Sequence, residues 1–188
     1  MKRSQAPLTA PARASRKASS IVIVNTGDGK GKSTAAFGTA LRALARGWKV
    51  CVIQFIKSDR WKVGEREMAV RLGVDWWTLG DGFTWDSRDI ERSEAIAREA
   101  WRVAQEKIAS GDYGLVVLDE ITYPINWGWI PLAEVVSAIR TRPPTLNMII
   151  TGREAPDELI EIADTVTEMR NRKHAFDSGI KAIRGIDF

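Results

Sequence analysis

Short runs of apolar and β-branched residues recur along the chain, with longer amphipathic stretches between them. The short runs predict six strands, at 21–25, 50–55, 74–79, 115–120, 148–153 and 165–169. The stretches between them repeat apolar residues three or four positions apart and predict helices at 35–44, 65–72, 88–110, 131–140 and 156–163. Because strands alternate with helices, we expect a parallel sheet with helices on both faces.

The turn after the first predicted strand is rich in glycine and ends in Lys-Ser. Glycines let successive backbone N–H groups face an anion, and the following helix adds the positive end of its dipole. Lys32 supplies a charge for phosphate oxygens, and the Ser33 hydroxyl is placed to bind Mg²⁺. This pattern favours a phosphate-binding loop over a chance Lys-Ser after a glycine-rich turn. The candidate phosphate-binding residues are Thr26, Gly27, Asp28, Gly29, Lys30, Gly31, Lys32, Ser33 and Thr34.

The spacing of this loop departs from the common pattern G-x-x-x-x-G-K-[ST]. Thr26 stands at the position of the first glycine, and the glycines fall instead at 27, 29 and 31. The departure leaves open whether a triphosphate lies here as it does in common P-loop enzymes.

Charged residues follow three other predicted strands, at the sheet edge where open α/β proteins bind ligands. Asp119 and Glu120 end the fourth strand in a Walker B pattern, in which either acid holds Mg²⁺ directly or through water. Lys57 and Arg153 follow the second and fifth strands and are candidate phosphate ligands, although Lys57 also fits a solvated loop lysine. These features predict a three-layer α/β, P-loop nucleotide-binding domain of the RecA-like type over 21–188, with a mainly parallel six-stranded sheet.

Aromatic residues lie in two further predicted loops, 80–85 and 121–129. Phe83 and Trp85 are candidates for a flat platform beneath a large planar ligand, the alternative being that they pack back onto the core. The single histidine, His174, lies in a polar segment that favours a structural or surface role over catalysis.

Composition and charge limit the class of protein. A chain of 188 residues is long enough for one domain with a sizeable core, and no apolar run approaches the ~20 residues of a membrane helix. The single cysteine, Cys51, lies in an apolar run, which predicts a buried thiol and fits the reducing cytoplasm.

The net charge of +4 belongs to the first 20 residues, which hold five basic residues and no acidic one. The remaining chain has 23 basic and 24 acidic residues, so it carries no charge pattern typical of nucleic-acid binding. Residues 1–20 are predicted to form a basic arm that is disordered in the free protein. A mitochondrial transit peptide and an arm that closes over a bound polyphosphate are the alternatives.

These residues predict binding of ATP or GTP with Mg²⁺ but do not identify the acceptor. A P-loop ATPase or kinase and a nucleotide-sensing module without turnover both stay open at this point. No guanine-binding pattern of the N-K-x-D type is present in the sequence.

Seven motifs in order resemble the CobA/CobO-type ATP:corrinoid adenosyltransferases, from about residue 21 to the end. They are Thr-Gly-Asp-Gly-Lys-Gly-Lys-Ser-Thr-Ala-Ala-Phe-Gly-Thr-Ala (26–40), Gln-Phe-Ile-Lys (54–57), Gly-Glu-Arg (64–66), Gly-Phe-Thr-Trp (82–85), Val-Val-Leu-Asp-Glu-Ile-Thr-Tyr (116–123), Ile-Ile-Thr-Gly-Arg (149–153) and Lys-His-Ala-Phe-Asp-Ser-Gly-Ile-Lys-Ala (173–182).

The resemblance implies transfer of the 5′-deoxyadenosyl group of ATP to a corrinoid cobalt reduced to Co(I), with release of triphosphate, in cobalamin biosynthesis or salvage. Co(I) is itself a strong nucleophile, so this reaction needs no general base. The reaction does need stabilisation of the leaving triphosphate, which the amide cradle, Lys32, Lys30 and Mg²⁺ would supply. The resemblance also implies that ATP lies reversed in the loop, with C5′ facing the cobalt.

Further roles follow from the same resemblance. Phe83 and Trp85 match an aromatic pair that excludes the lower axial ligand of cobalt, which makes Co(II) easier to reduce. Glu120 is the expected carboxylate ligand of the metal, with Asp119 behind it. The resemblance also implies a flavoprotein reductant and a homodimer in which the N-terminal arm can cover a neighbour's site. The corrinoid accepted in the cell, whether cobyrinic acid diamide, cobinamide or cobalamin, stays open.

Overall fold

A six-stranded sheet organises the computed structural model, which describes residues 17–56, 64–80 and 90–187. The strands are β1 (Val22–Thr26), β2 (Val50–Gln54), β3 (Asp75–Thr78), β4 (Leu115–Asp119), β5 (Asn147–Thr151) and β6 (Thr165–Glu168). The helices are α1 (Lys32–Leu44), α2 (Gly64–Arg71), α3 (Ile90–Ala109), α4 (Thr122–Asn126), α5 (Leu132–Arg140) and α6 (Asp157–Ile162). The predicted α/β architecture with six strands is therefore confirmed.

The strands lie in the order β3-β2-β4-β5-β1-β6, and every neighbouring pair is parallel. The carboxyl ends of parallel strands meet at one edge of the sheet. The glycine-rich loop after β1 and the acids at the end of β4 consequently share that edge, with β5 between their strands.

Two apolar cores lie on the two faces of this sheet. The larger core packs α3, α4, α5 and α6 against the strand residues of one face, and its buried members include Trp101, Ile139 and Leu159. The other is smaller and packs α1 against a second set of strand residues, including Val52 and Val117. Successive strand residues face opposite sides, so the residues two positions after Val52 and Val117 also face α1.

Two local differences from the sequence prediction have simple physical causes. Residues 121–129, expected as a loop, contain the short helix α4. This helix tolerates Pro124 because the N–H that proline lacks would have no carbonyl partner within the first turn of a helix. Helix α1 begins at Lys32 rather than at residue 35, since Gly31 already accepts the Ala35 N–H at 2.8 Å.

The helices of the described residues leave one edge of the sheet exposed. All four residues of the edge strand β6 are solvent-exposed, including Val166. The predicted sheet with helices on both faces is confirmed by the two cores, and the exposed β6 is a short edge strand whose alternating threonines tolerate contact with water.

The structure bears on three smaller expectations. The Cys51 side chain is fully buried, as the apolar run predicted. The ring of His174 accepts the Phe176 N–H through Nδ1 at 3.1 Å, which is a local structural role. None of the helices in the described part of the chain is long and apolar enough to cross a membrane.

Candidate active site at the carboxyl edge of the sheet

The phosphate loop is held against the segment that follows β6. Gly29 donates its N–H to the carbonyl of Met169 at 2.6 Å, and Met169 donates to Thr26 at 2.8 Å. A Cβ on Gly27 or Gly29 would come within 2.5–2.7 Å of the Met169 backbone, and Gly27 and Gly31 have φ values of 92° and 113°. The glycines are therefore required both by the close approach of this wall and by the left-handed turns of the loop.

Lys32 lies inside the loop rather than out in solvent. Its ammonium group donates to the carbonyls of Gly27 and Gly29, each at 2.9 Å. Burial lowers the pKa of Lys32, while the negative charge of Glu120 opposes that shift. A desolvated cation that can exchange two carbonyls for phosphate oxygens suits the predicted role.

The remaining loop side chains have partners of their own. Thr26 accepts the Ala155 N–H through Oγ1 at 3.1 Å, so this side chain braces the turn after β5. Lys30 forms an ion pair with Asp187 near the C-terminus at 2.5 Å. Arg153 lies 3.9 Å from the exposed carboxylate of Asp28, which places Arg153 beside the loop as predicted from its strand.

The two acids after β4 occupy different environments. Asp119 is fully buried and accepts the amide of Gln54 at 2.8 Å on one oxygen and the hydroxyl of Thr151 at 2.7 Å on the other. Glu120 is only half-buried and has a left-handed backbone with φ of 64°. Its N–H donates to the same Thr151 hydroxyl at 2.9 Å. Protein donors thus engage both Asp119 oxygens, whereas Glu120 is the acid whose charge acts most strongly on Lys32.

Several residues at the site were not singled out from the sequence. Tyr123 lies in α4, directly after β4 and the two acids, and burial and the negative charge of Glu120 raise its pKa. Gln54 and Thr151 donate to Asp119, and the backbone of Met169 bonds to the phosphate loop. Of these, the sequence signalled Gln54 and Thr151 as members of motifs at strand ends. Met169 contacts the loop mainly through its backbone, which no residue type could reveal.

The structure brings together most of the predicted site residues: the loop 26–34, Asp119, Glu120 and Arg153. Lys57, Phe83 and Trp85 lie outside the described residues. Within the described ranges no group of three or more His, Cys, Asp or Glu side chains is arranged for a metal. The oxygen atoms of the Glu120 carboxylate are ligands of the kind that Mg²⁺ takes in small number, beside waters and substrate phosphates.

A glycine-lined loop between a parallel strand and a helix, with a buried lysine and acids on a nearby strand end, defines a P-loop nucleotide-binding domain. The family model described as ATP:corrinoid adenosyltransferase BtuR/CobO/CobP matches residues 18–188. The chain therefore belongs to the ATP:corrinoid adenosyltransferase family, whose members transfer the adenosyl group of ATP to a corrinoid in cobalamin synthesis or salvage.

Similar curated proteins agree with this assignment. The corrinoid adenosyltransferase of Escherichia coli strain K12 is 48% identical over 168 residues, which cover 89% of this chain and 85% of the relative. The corrinoid adenosyltransferase CobA of Salmonella typhimurium is 45% identical over the same shares. The corrinoid adenosyltransferase of Pseudomonas aeruginosa is 42% identical over 190 residues, which cover 100% of this chain and 93% of the relative.

Proposed function

We propose that this protein joins C5′ of ATP to the Co(I) centre of a corrinoid and releases inorganic triphosphate. The cobalt electron pair forms the Co–C bond while the C5′–O bond breaks and its electrons leave with the triphosphate. The observation that carries the proposal is the glycine cradle with its buried lysine, in a chain that belongs to the adenosyltransferase family.

The chain's own residues would stabilise the leaving group. The loop N–H groups and the start of α1 would bind the phosphates, and Lys32 would exchange the Gly27 and Gly29 carbonyls for phosphate oxygens. Lys30, Lys57 and Arg153 would add positive charge around them. A nucleotide reversed in the loop would present C5′ to the corrinoid.

Ser33 and Glu120 would hold Mg²⁺, with Asp119 fixing the strand end behind them. When bound, the ion would neutralise charge that builds up on the leaving triphosphate. The half-buried position of Glu120 and the occupied oxygens of Asp119 support this division of roles.

Other proposals concern the surroundings of the site. Phe83 and Trp85 would exclude the lower axial ligand of cobalt, and a flavoprotein would supply the electron. A homodimer, with residues 1–20 as an arm near a neighbour's site, and a cytoplasmic location complete the proposal. The single buried Cys51 supports a reducing compartment.

Incubation with ATP, Mg²⁺ and chemically reduced cobalamin tests the reaction. We expect the visible spectrum of an alkyl corrinoid and one triphosphate per Co–C bond. Release of phosphate or ADP as the nucleotide-derived product would instead identify an ATPase or kinase.

A further inference from the structure

A row of polar side chains crosses the sheet at the level where the strands end. Gln54 is the register partner of Thr78 on β3 and of Asp119 on β4, and Asn25 on β1 is the partner of Thr151 on β5. Leu118 on β4 is the register partner of Ile150 on β5, so the next residues, Asp119 and Thr151, lie opposite each other on these strands. We call these five residues the polar row.

The polar row lies on the face of the sheet that α1 covers. Gln54, Asp119 and Thr151 each come two positions after a residue of the core beneath α1, so their side chains face the same way. All three are essentially excluded from solvent. Asn25 donates to the carbonyl of Lys32 at 3.2 Å, which ties the row to the first residue of the helix that follows the phosphate loop.

Gln54 is the member that joins the two halves of this row. Its amide N–H donates to Asp119 at 2.8 Å. Its carbonyl oxygen accepts the Thr78 hydroxyl at 3.4 Å and shares the Trp76 indole N–H, at 3.3 Å, with the Thr78 hydroxyl oxygen at 3.1 Å. The amide thus has a defined orientation, with an acceptor on the β4 side and donors on the β3 side.

Gln54 connects the ends of two neighbouring strands at the edge of the proposed site. β4 continues directly into Glu120, whose charge acts on Lys32 on the triphosphate side. β3 ends at Thr78 on the other side of Gln54. Gln54 therefore holds the end of β4, and with it Glu120, against the neighbouring strand.

We infer that Gln54 is a positioning residue, which fixes the ends of β3 and β4 relative to each other and so holds Glu120, and the nucleotide bound beside it, in the position that transfer requires. This inference rests on the proposed function. Since Gln54 is buried, it acts through Asp119, Trp76 and Thr78 rather than through a substrate. Misplacing reacting groups by about 1 Å can cost about 100-fold in rate while each substrate still binds.

Gln54→Met keeps the length of the side chain and removes all of its hydrogen bonds. We expect kcat to fall by about 10- to 100-fold with chemically reduced cobalamin, while both KM values stay within about threefold of wild type. Calorimetry without corrinoid should give an unchanged affinity for ATP. Tyr113→Phe is the matched control, because it removes a buried hydroxyl that donates to Asp75, away from the site edge. It should alter stability but not kcat.

A second variant keeps the test decisive if Gln54→Met does not fold. The double change Trp76→Phe and Thr78→Val removes both donors from β3 to Gln54, at positions that are only half-buried. We expect kcat to fall by about tenfold with unchanged KM values.

A wild-type kcat in folded Gln54→Met would overturn the inference. If Gln54→Met does not fold, a wild-type kcat in the double variant would overturn it. A rise in the KM for ATP with unchanged kcat would do the same. These outcomes concern Gln54 alone if the wild-type protein makes alkyl corrinoid and triphosphate. If the wild-type protein makes neither, the proposed function itself fails.

Discussion

At the scale of single residues, Lys32 combines burial with charge. Lys32→Ala should lower kcat by at least about 100-fold, because it removes a pre-positioned cation from the leaving triphosphate. The fold should survive, since burial disfavours the charged lysine, as its lowered pKa indicates. Turnover and thermal unfolding would be measured together. Lys49→Ala, at an exposed lysine paired with Asp112, is the control and should keep full activity. Normal turnover without Lys32 would remove the phosphate loop from the mechanism.

Trp85 gives a second prediction at this scale, from the family resemblance. Trp85→Ala should impair adenosylation that starts from Co(II) with a reductant more than transfer to Co(I) prepared chemically. The reason is that an excluded axial ligand matters for reduction but not for the attack on C5′. The two assays would be run side by side on one preparation. Equal loss in both would argue against exclusion of the axial ligand.

At the scale of elements, the phosphate loop depends on its contact with the segment after β6. Gly29→Ala would force a Cβ to within 2.7–2.8 Å of the backbone at Met169 and Arg170. We expect the loop to shift and the affinity for ATP to fall by about tenfold or more, as a displaced amide cradle binds phosphate poorly. Binding would be measured by calorimetry.

Gly38→Ala is the matched control for that substitution. Gly38 lies within α1, and a Cβ there meets no atom within 4 Å. Alanine in a helix interior should leave ATP binding unchanged and stabilise the protein by about 0.5–1 kcal/mol. An equally weak affinity in both variants would show that the contact with Met169 is not the cause.

The order of the elements follows from sequence patterns, but their ends do not. Runs of apolar and β-branched residues located all six strands to within one or two residues, because these residue types are enriched in strands. The helix α4 was missed because its five residues are too few to show a helical period and include Pro124. The exposure of β6 was not predicted, because threonine and valine are common in edge strands and in central strands alike.

At the scale of the whole molecule, the buried thiol makes stability depend on pH. Burial raises the pKa of Cys51 to about 12, whereas a thiol in an unfolded chain has a pKa of about 8.5. Between these values the unfolded chain loses a proton that the folded chain keeps. The free energy of unfolding should therefore fall as pH rises, by up to about 1.4 kcal/mol per pH unit from this group.

Urea unfolding between pH 8 and pH 11 would measure this effect, with Cys51→Ala as the comparison. Tyr113 also has a pKa raised to about 12, mainly by burial, with the charge of Cys51 as a smaller cause. The difference between wild type and variant thus reports Cys51 together with its small effect on Tyr113. Equal pH dependence of the two proteins would mean that the thiol does not couple to folding.

The sequence by itself determined the class of fold, the phosphate loop with its lysine, and the family, since these depend on residue types at fixed spacings along the chain. Only the tertiary structure decided how the two acids differ, because the Asp119 oxygens are taken by donors from β2 and β5, strands that are distant in sequence. The tertiary structure also explains why the loop needs its glycines, because they pack against the backbone that follows β6. Contacts between distant segments depend on which strands become neighbours, and the strand order is set by the packing of the whole sheet.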